Sequence, residues 1–347
     1  MRQKSVVLLS FLLGCTSHSS DTQVMHSLQG QGLGTTWSVR WEGSSATEDE
    51  VTAAVVDALT QVDAHMSTWK PDSEINTVRN TPGRVAVSSD TVYVVDMALQ
   101  LAQATEGAFD PTVQPLVELW GFHGDPIEQL PSDDALAAAQ QQIGWQRVQT
   151  GWEGGTPWVD ADGTALDLSA IAKGYVVDRM SESISALGIG THLVEVGGEV
   201  RVSGPGPDGG WWSVGIDSPV QGTAPGQSMA GIVRVVNGAV ATSGNYRQTR
   251  TVQGVEVHHT LDPRTGRPST ARVGSATVTA PTCALADGLA TALMVMGADG
   301  LALVESLDGV EAGLLWAEPS GIRTEGTSGF RLQMVTDPIQ PAPPPHE

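Results

Sequence analysis

The stretch Leu166-Asp-Leu-Ser-Ala-Ile-Ala-Lys-Gly174 marks a passage from a strand into a helix near the middle of the chain. Asp167 stands at the strand end, and Lys173 lies in the first turns of a helix predicted over residues 170–187, which Gly188 terminates. Backbone amides at a helix N-terminus lack intrahelical partners, so this junction is suited to an anion such as phosphate. The alternative interpretation is structural: Asp167 caps the helix and Lys173 is solvated.

Helices and strands alternate on both sides of this junction. Thr47 and Glu50 form a capping box, and behind it apolar residues recur at helical spacing over 51–66. Other helices are predicted from Ser89 or Asp90 to 106, and over 132–143, 284–296 and 299–306. Short strands are predicted at 36–41, 192–196, 211–216, 231–236 and 275–280. The pattern predicts an α+β fold with mixed or antiparallel sheets and packed helices, in a single unit with two lobes.

The composition excludes several classes of protein. Among 347 residues, 18 Lys and Arg stand against 39 Asp and Glu, a net charge of −21 that repels phosphate backbones, so we expect no nucleic-acid partner. An apolar fraction of 40% is sufficient for a real core, and 40 Gly with 20 Pro favour a turn-rich fold over a helical bundle. Two cysteines are too few for a disulfide scaffold or a cysteine-based zinc site.

The N-terminal residues are predicted to be a targeting segment. Residues 1–14 have a short basic start and an apolar run that is shorter than the roughly 20 residues of a membrane span, as in a secretory signal peptide. The run ends Leu12-Leu-Gly-Cys15, which resembles a bacterial lipobox and predicts lipidation of Cys15; the alternative is an ordinary signal peptide with a chance cysteine. Residues 15–29 are then a lipidated tether. We expect an exported protein of the cell envelope, lipid-anchored to the membrane and facing the periplasm.

The folded part is expected to cover residues 30–335 as one domain, opened by a glycine-rich turn at Gly30, Gly32 and Gly34. Residues 336–347 hold five prolines and are predicted to be a disordered tail. No further stretch is predicted to cross a bilayer. Walker, HExxH and GxSxG motifs are absent, so several common enzyme classes lack their signature here.

Asp287 and Thr291 form a candidate metal site. They are four residues apart on a predicted helix, so a carboxylate and a hydroxyl share one face. Hard oxygen ligands of this kind suit Mg²⁺. The alternative is a structural pair that caps a neighbouring loop.

Two further clusters carry candidate chemistry. Asp262-Pro-Arg-Thr-Gly266 is a turn by composition, and His258 and His259 precede it. Either imidazole can accept a proton near neutral pH, and the local sequence does not choose between them. The end of a helix and a following turn are predicted at Thr105-Glu-Gly-Ala-Phe-Asp-Pro-Thr112. The motif Leu119-Trp-Gly-Phe122 follows shortly after it in the chain.

Together, and in this order, these clusters resemble the FAD:protein FMN transferases, the ApbE-type flavin transferases, in a bacterial lipoprotein form. The resemblance covers roughly residues 30–317. Its motifs here are Gly32-Leu-Gly-Thr-Thr-Trp37, Ser67-Thr-Trp-Lys-Pro-Asp-Ser-Glu74, Gly107-Ala-Phe-Asp-Pro-Thr112, Leu119-Trp-Gly-Phe122, Asp167-Leu-Ser-Ala-Ile-Ala-Lys-Gly174, Gly197-Gly198, Ala241-Thr-Ser-Gly244, His259-Thr-Leu-Asp-Pro-Arg-Thr-Gly266 and Ala286-Asp-Gly-Leu-Ala-Thr291. Each motif is weak alone, and nine in the expected order are not a chance match.

The resemblance implies an ApbE-like fold and a reaction. Such enzymes bind FAD and Mg²⁺, cleave the pyrophosphate and attach the FMN half to an exposed Thr or Ser of an acceptor flavoprotein, with AMP leaving. Some relatives instead hydrolyse FAD to FMN and AMP, and the sequence does not separate the two activities. A non-catalytic flavin-binding lipoprotein is the remaining alternative, although binding alone requires neither the Asp287/Thr291 pair nor His259.

The resemblance also implies roles for individual residues. Asp287 and Thr291 would bind Mg²⁺ together with the main-chain carbonyl of Ala170. His259, the histidine that directly begins the motif with the turn, would be the catalytic base. The FAD site would be lined by Leu33, Trp69, Ala108, Phe109, Asp110, Asp167, Lys173 and Leu261, with the rings of Trp69 and Phe109 offering apolar faces to the flavin or adenine.

Overall fold

The computed structural model describes residues 24–334 except 44–45, 221, 223–225 and 247–248. The predicted signal peptide, Cys15 and the predicted tail lie outside the described residues. The α-helices are α1 (Glu48–Met66), α2 (Glu74–Asn80), α3 (Ser89–Ala104), α4 (Gln114–Leu119), α5 (Asp133–Gln140), α6 (Ala172–Ala186), α7 (Cys283–Met296) and α8 (Leu301–Glu305). The strands are β1 (Met25–Gly32), β2 (Thr35–Glu42), β3 (Val85–Ala86), β4 (Gln149–Glu153), β5 (Thr156–Asp160), β6 (His192–Val196), β7 (Glu199–Ser203), β8 (Trp212–Asp217), β9 (Met229–Val235), β10 (Gly238–Gly244), β11 (Thr249–Val252), β12 (Val255–His258), β13 (Leu261–Asp262), β14 (Arg267–Pro268), β15 (Ser275–Ala280), β16 (Glu311–Glu318), β17 (Gly321–Gly326) and β18 (Leu332–Met334).

An eight-stranded sheet in the order β1-β2-β6-β7-β10-β15-β16-β17 is the centre of the fold. All strand pairs among the described residues are antiparallel, which confirms the predicted α+β class. Successive side chains of a strand point to opposite faces, so Ala239 and Ala241 of β10 enter the main core whereas Val240 enters a second cluster. Helices α1, α3, α6 and α7 pack on the first face, and the three-stranded sheet β18-β9-β8 covers the second.

The predicted helices are found, with shifted ends. The capping box at Thr47 and Glu50 is present. The cap of α3 is Ser88 rather than Ser89 or Asp90, because its hydroxyl accepts the amide of Thr91. Helix α6 begins two residues later than predicted, because the amides of residues 171 and 172 both donate to the Leu168 carbonyl in a preceding turn.

The expected tether overlaps the fold. Strand β1 begins at Met25 and pairs with β2 from Met25 opposite Glu42 to Gly32 opposite Thr35, so residues 25–29 are a strand and not a linker. The sequence MHSLQGQG has no run of buried apolar residues. This edge strand is therefore held mainly by its backbone pairing with β2. The turn lies at Leu33 and Gly34 alone.

Several turns and strand ends meet at one end of the large sheet. The two-residue turns Leu33-Gly34 and Gly197-Gly198 are neighbours, since the amide of Gly197 donates to the Thr36 carbonyl at 3.0 Å. Leu33 has a positive φ of 52°, an unusual conformation for a residue with a side chain. The C-terminal end of β10, with Thr242 and Ser243, lies at the same end because β10 is antiparallel to β7.

Among the described residues, one helical stretch, Cys283–Glu305, is apolar and long enough by composition to cross a membrane, contrary to the expectation that none would be. It is 61% buried within the fold, and a break at Gly297 separates α7 from α8. We therefore identify it as a core helix of the domain.

Candidate functional site

Helices α6 and α7 approach each other closely and cap each other's N-termini. A Cβ atom at Gly174 would lie 2.3 Å from the carbonyl oxygen of Cys283, so only glycine fits there. Asp287 Oδ2 accepts the amide of Gly174 at 2.9 Å, and Asp178 Oδ1 accepts the amide of Cys283 at 2.8 Å. Each helix N-terminus thus receives a carboxylate from the other helix, which its dipole favours.

This crossing brings Asp287, one of the predicted metal ligands, to the strand–helix junction at 166–174. Asp287 is 2% exposed and contacts Gly174, the residue four positions after Ala170. Thr291 Oγ1 lies 3.2 Å from Ser243 Oγ at the end of β10. One carboxylate oxygen of Asp287 also caps α6, so this residue has a structural role in a helix rather than in a neighbouring loop.

Lys173 lies between two buried carboxylates. Its Nζ is 2.6 Å from Glu199 Oε1 and 3.8 Å from Asp287 Oδ1, while the two acidic side chains are 4% and 3% exposed. Burial raises the pKa of Glu199 to about 7 despite the opposing effect of Lys173, and burial also raises the pKa of Asp287. Burial alone would lower the pKa of Lys173, but the two carboxylates outweigh it and raise that pKa. Lys173, 36% exposed, is therefore an ion-pair partner rather than a fully solvated charge.

The segments that carry Asp110 and Asp167 lie side by side, because the amide of Asp167 donates to the Pro111 carbonyl at 2.7 Å. Asp110 Oδ1 accepts the amide of Thr112 at 2.8 Å and its hydroxyl at 2.6 Å. Burial raises the pKa of Asp110, and these hydrogen bonds oppose that rise.

Asp167 does not cap α6, contrary to the structural alternative. Its Oδ1 accepts the amide of Ser169 at 2.9 Å and the Ser169 hydroxyl at 2.6 Å, which forms a turn before the helix. The cap is supplied instead by Asp287, from a segment distant in sequence.

The histidine segment packs against the Leu119–Phe122 motif. The rings of Phe122 and His259 lie 6.3 Å apart edge to face, and Trp120 Nε1 donates to the Gly266 carbonyl at 2.8 Å. His258 Nε2 lies 3.2 Å from the Ser269 carbonyl, and burial lowers the pKa of His258. His258 therefore has a structural hydrogen bond. His259 remains the candidate base that the family resemblance implies.

The predicted flavin-site residues differ in exposure. Trp69 is 69% exposed, and its ring lies 4.0 Å from that of His123, so it can stack on a ligand. Phe109 is 4% exposed and lies in the main core, so its ring offers little surface to a ligand in this conformation. Ala108 and Leu261 are also buried, at 2% and 6% exposure.

The donor set fits a magnesium ion that also contacts phosphate. One carboxylate, one hydroxyl and one backbone carbonyl are hard oxygen donors, and Mg²⁺ is commonly held by one or two carboxylates with substrate phosphates. No group of three or more His, Cys, Asp and Glu residues suited to a metal occurs within the part of the chain that the structure describes. A cation here would therefore depend on Asp287 as its single carboxylate.

Sequence reasoning missed Glu199. The Gly197-Gly198 pair is among the sequence motifs, but the acid that follows it is not, although it begins β7 and reaches Lys173. An acidic residue directly after a two-glycine hairpin turn is the signal that could have found it.

The chain matches the model of a known family. The model of the ApbE family matches residues 33–314, which include every residue of the candidate site. The chain belongs to the ApbE family. An FAD:protein FMN transferase of Vibrio cholerae is 37% identical over 314 residues, covering 88% of this chain and 91% of that protein.

Other ApbE-family members extend the similarity to nearly the full length. An FAD:protein FMN transferase of Haemophilus influenzae is 34% identical over 337 residues, covering 94% of this chain and 96% of the relative. The solved structure of the flavin transferase ApbE from Vibrio cholerae superposes with a TM-score of 0.77 at 34% identity, covering 89% of this chain and 98% of that one.

Proposed function

We propose that this ApbE-family protein transfers FMN from FAD to a Thr or Ser of an exported flavoprotein, in an Mg²⁺-dependent reaction that releases AMP. The transferase activity is that of relatives aligned along 88–94% of the chain. The observation that carries the proposal is the contact between Asp287 and the first turn of α6, which gathers Asp287, Lys173 and the Ala170 segment at one place.

A divalent cation would supply the positive charge that the site at Asp287 needs in order to bind a pyrophosphate. When bound by Asp287, Thr291 and the Ala170 carbonyl, Mg²⁺ would neutralise charge on the pyrophosphate that this acidic protein otherwise repels. Lys173 keeps a positive charge beside it, since its pKa is raised by the two neighbouring carboxylates.

The remaining residues position the two reactants. Trp69 offers an exposed aromatic face for the flavin or adenine ring. His259 accepts the proton of the acceptor hydroxyl as its oxygen attacks the phosphorus of the FMN half. The bond to the bridging oxygen breaks, and AMP leaves with that oxygen.

We further propose that the protein works outside the cytoplasm. The basic and apolar N-terminus and the Leu-Leu-Gly-Cys sequence at 12–15 support export and attachment of a lipid at Cys15. A lipid anchor places the enzyme at the membrane surface facing the periplasm, where exported acceptor flavoproteins fold. Labelling of the expressed protein with a radioactive fatty acid, lost in Cys15→Ser, tests this part separately.

Incubation of the full chain with FAD, Mg²⁺ and an exported flavoprotein that offers a Thr or Ser tests the reaction. FMN retained on the denatured acceptor, with one AMP released per label, is the expected result. Free FMN and AMP without labelling would instead assign an FAD pyrophosphatase, and FAD binding without AMP would assign a flavin-binding lipoprotein.

A further inference from the structure

The ammonium of Lys173 is shared unequally between two carboxylates that come from different elements. Its Nζ lies 2.6 Å from Glu199 Oε1, within hydrogen-bond distance, and 3.8 Å from Asp287 Oδ1, beyond it. Lys173 is on α6, Glu199 on β7 and Asp287 on α7. The lysine is therefore held towards the sheet and away from the predicted metal ligand.

Glu199 is placed rigidly enough to hold it. It is the first residue of β7, pairs with Val196 across the Gly197-Gly198 turn, and is 3% exposed. Its second oxygen, Oε2, is buried and receives no hydrogen bond from another residue in the described segments of the chain. Lys173 is thus the counter-ion of this buried carboxylate, and separating them would leave an unpaired charge in the interior.

The position of Lys173 matters because Asp287 both caps α6 and is proposed to bind the cation. Oδ2 is occupied by the amide of Gly174, so Oδ1, which faces Lys173, is the oxygen left for a cation. A lysine side chain is a compact charge on a flexible stem. Without Glu199, its ammonium would move the short distance to Oδ1 and form a direct ion pair there.

We propose that Glu199 is a positioning residue that holds the Lys173 ammonium off Asp287 and so keeps this carboxylate available to a divalent cation. The inference rests on the proposed function, because it assumes the cation site at Asp287. Glu199 is not among the proposed ligands of the cation; it would act through Lys173.

A double-mutant cycle on cation binding tests this role without any turnover. Mn²⁺ affinity, followed by the electron paramagnetic resonance signal of the free ion, is measured without FAD for the wild type, Glu199→Gln, Lys173→Met and the double variant. When Lys173 is present, we expect Glu199→Gln to weaken Mn²⁺ binding about tenfold, as for residues coupled by direct contact. In the Lys173→Met variant, the same substitution should change the Mn²⁺ affinity less than about twofold.

A second variant separates position from charge. Glu199→Asp keeps the negative charge but is one methylene shorter, so it cannot hold the ammonium in the same place; we expect weaker Mn²⁺ binding here too. Glu195→Gln is the matched control, since it removes a charge from the same hairpin and keeps the oxygen that accepts the Gly198 amide at 2.8 Å. Its affinity should equal that of the wild type.

The outcomes distinguish this inference from the proposed function. If the wild type binds Mn²⁺ but Glu199→Gln weakens binding by the same factor with and without Lys173, Glu199 acts through its field or the fold, and the positioning role is wrong. Wild-type affinity in Glu199→Asp would also contradict it. If the wild type binds no divalent cation, the cation site of the proposed function is wrong, and the inference fails with it.

Discussion

Asp287 accepts the backbone amide of Gly174 at 2.9 Å, so the residue proposed to bind the cation also caps helix α6. Capping and cation binding would use different oxygens, because Oδ2 faces the Gly174 amide and Oδ1 faces Lys173. A substitution that keeps an acceptor oxygen but removes the charge can therefore separate catalysis from stability.

Asp287→Asn should lower the rate of AMP release while the fold persists. The amide oxygen of Asn can still accept the Gly174 amide, but the charge that attracts the cation is lost. If that charge contributes about 3 kcal/mol to transition-state stabilisation, the rate falls about 100-fold. The rate is measured at saturating FAD, with the urea midpoint determined on the same preparation.

Asp287→Ala provides the comparison, because it removes both the charge and the cap. We expect it to be as inactive as Asp287→Asn and less stable by about 1 kcal/mol or more, since a helix cap is lost and Lys173 loses a counter-charge. Normal rates in Asp287→Asn without added metal would contradict the metal assignment.

Gly174→Ala should destabilise the domain, because the new methyl group would lie 2.3 Å from the backbone oxygen of Cys283 and backbone cannot yield as a side chain can. We expect a loss of about 1–3 kcal/mol in the free energy of unfolding, typical of an overpacked contact. Gly190→Ala is the matched control, since a methyl group added there would meet no atom within 4 Å beyond its chain neighbours. Equal urea midpoints for the two variants would show that α6 and α7 can separate freely.

Local signals in the sequence predicted most of the described helices but only a minority of the strands. The capping box at Thr47 depends on residues three apart, so it forms within one helix regardless of the rest of the fold. The spacing of Asp287 and Thr291 likewise places both residues on one face of a helix. Strand β1 was missed because its polar sequence lacks apolar alternation, and only pairing with β2 makes it a strand.

The contacts that assemble the candidate site were beyond local reasoning. Gly174 and Asp287 are 113 residues apart, and Lys173 and Glu199 are 26 apart. Such pairs are set by which strands and helices become neighbours, and spacing in one segment carries no information about that. The family resemblance supplied part of this knowledge for Asp287 but none for Glu199.

Trp69→Ala should weaken FAD binding with little effect on stability. The ring is 69% exposed, so little packing is lost, whereas stacking of an aromatic side chain on a base contributes about 1–3 kcal/mol, or roughly tenfold in affinity. Trp69→Phe should retain most of the wild-type affinity for FAD. Trp152→Ala, on strand β4 and 60% exposed, is the control, and FAD fluorescence titration measures all three. An affinity equally reduced in Trp152→Ala would indicate a general surface effect.

His259→Gln should slow AMP release and labelling of the acceptor while FAD affinity stays within about twofold. General base catalysis contributes about 10²–10⁴-fold, and we expect a loss of that order. His258→Gln should lose far less, because His258 is engaged with the Ser269 carbonyl and its substitution perturbs packing rather than proton transfer. Single-turnover kinetics with both variants decide between the two histidines, and a reversed order would move the base role to His258.

His192 should make the domain less stable in mild acid. It is fully buried; since the Ile189 carbonyl can only accept, Nδ1 donates to it, and Nε2 accepts the Ser181 hydroxyl at 2.8 Å. Burial lowers its pKa from 6.5 to about 4, so the unfolded chain takes up a proton below pH 6.5 and the folded protein does not until about pH 4. Stability conferred by neutral His192 is therefore complete above pH 6.5 and is lost as the pH falls towards 4, by about 3 kcal/mol in all. In His192→Asn, which keeps a donor for Ile189 but cannot titrate, urea unfolding should show a shallower pH dependence in this window; parallel curves for the two proteins would show that His192 is protonated in the folded state.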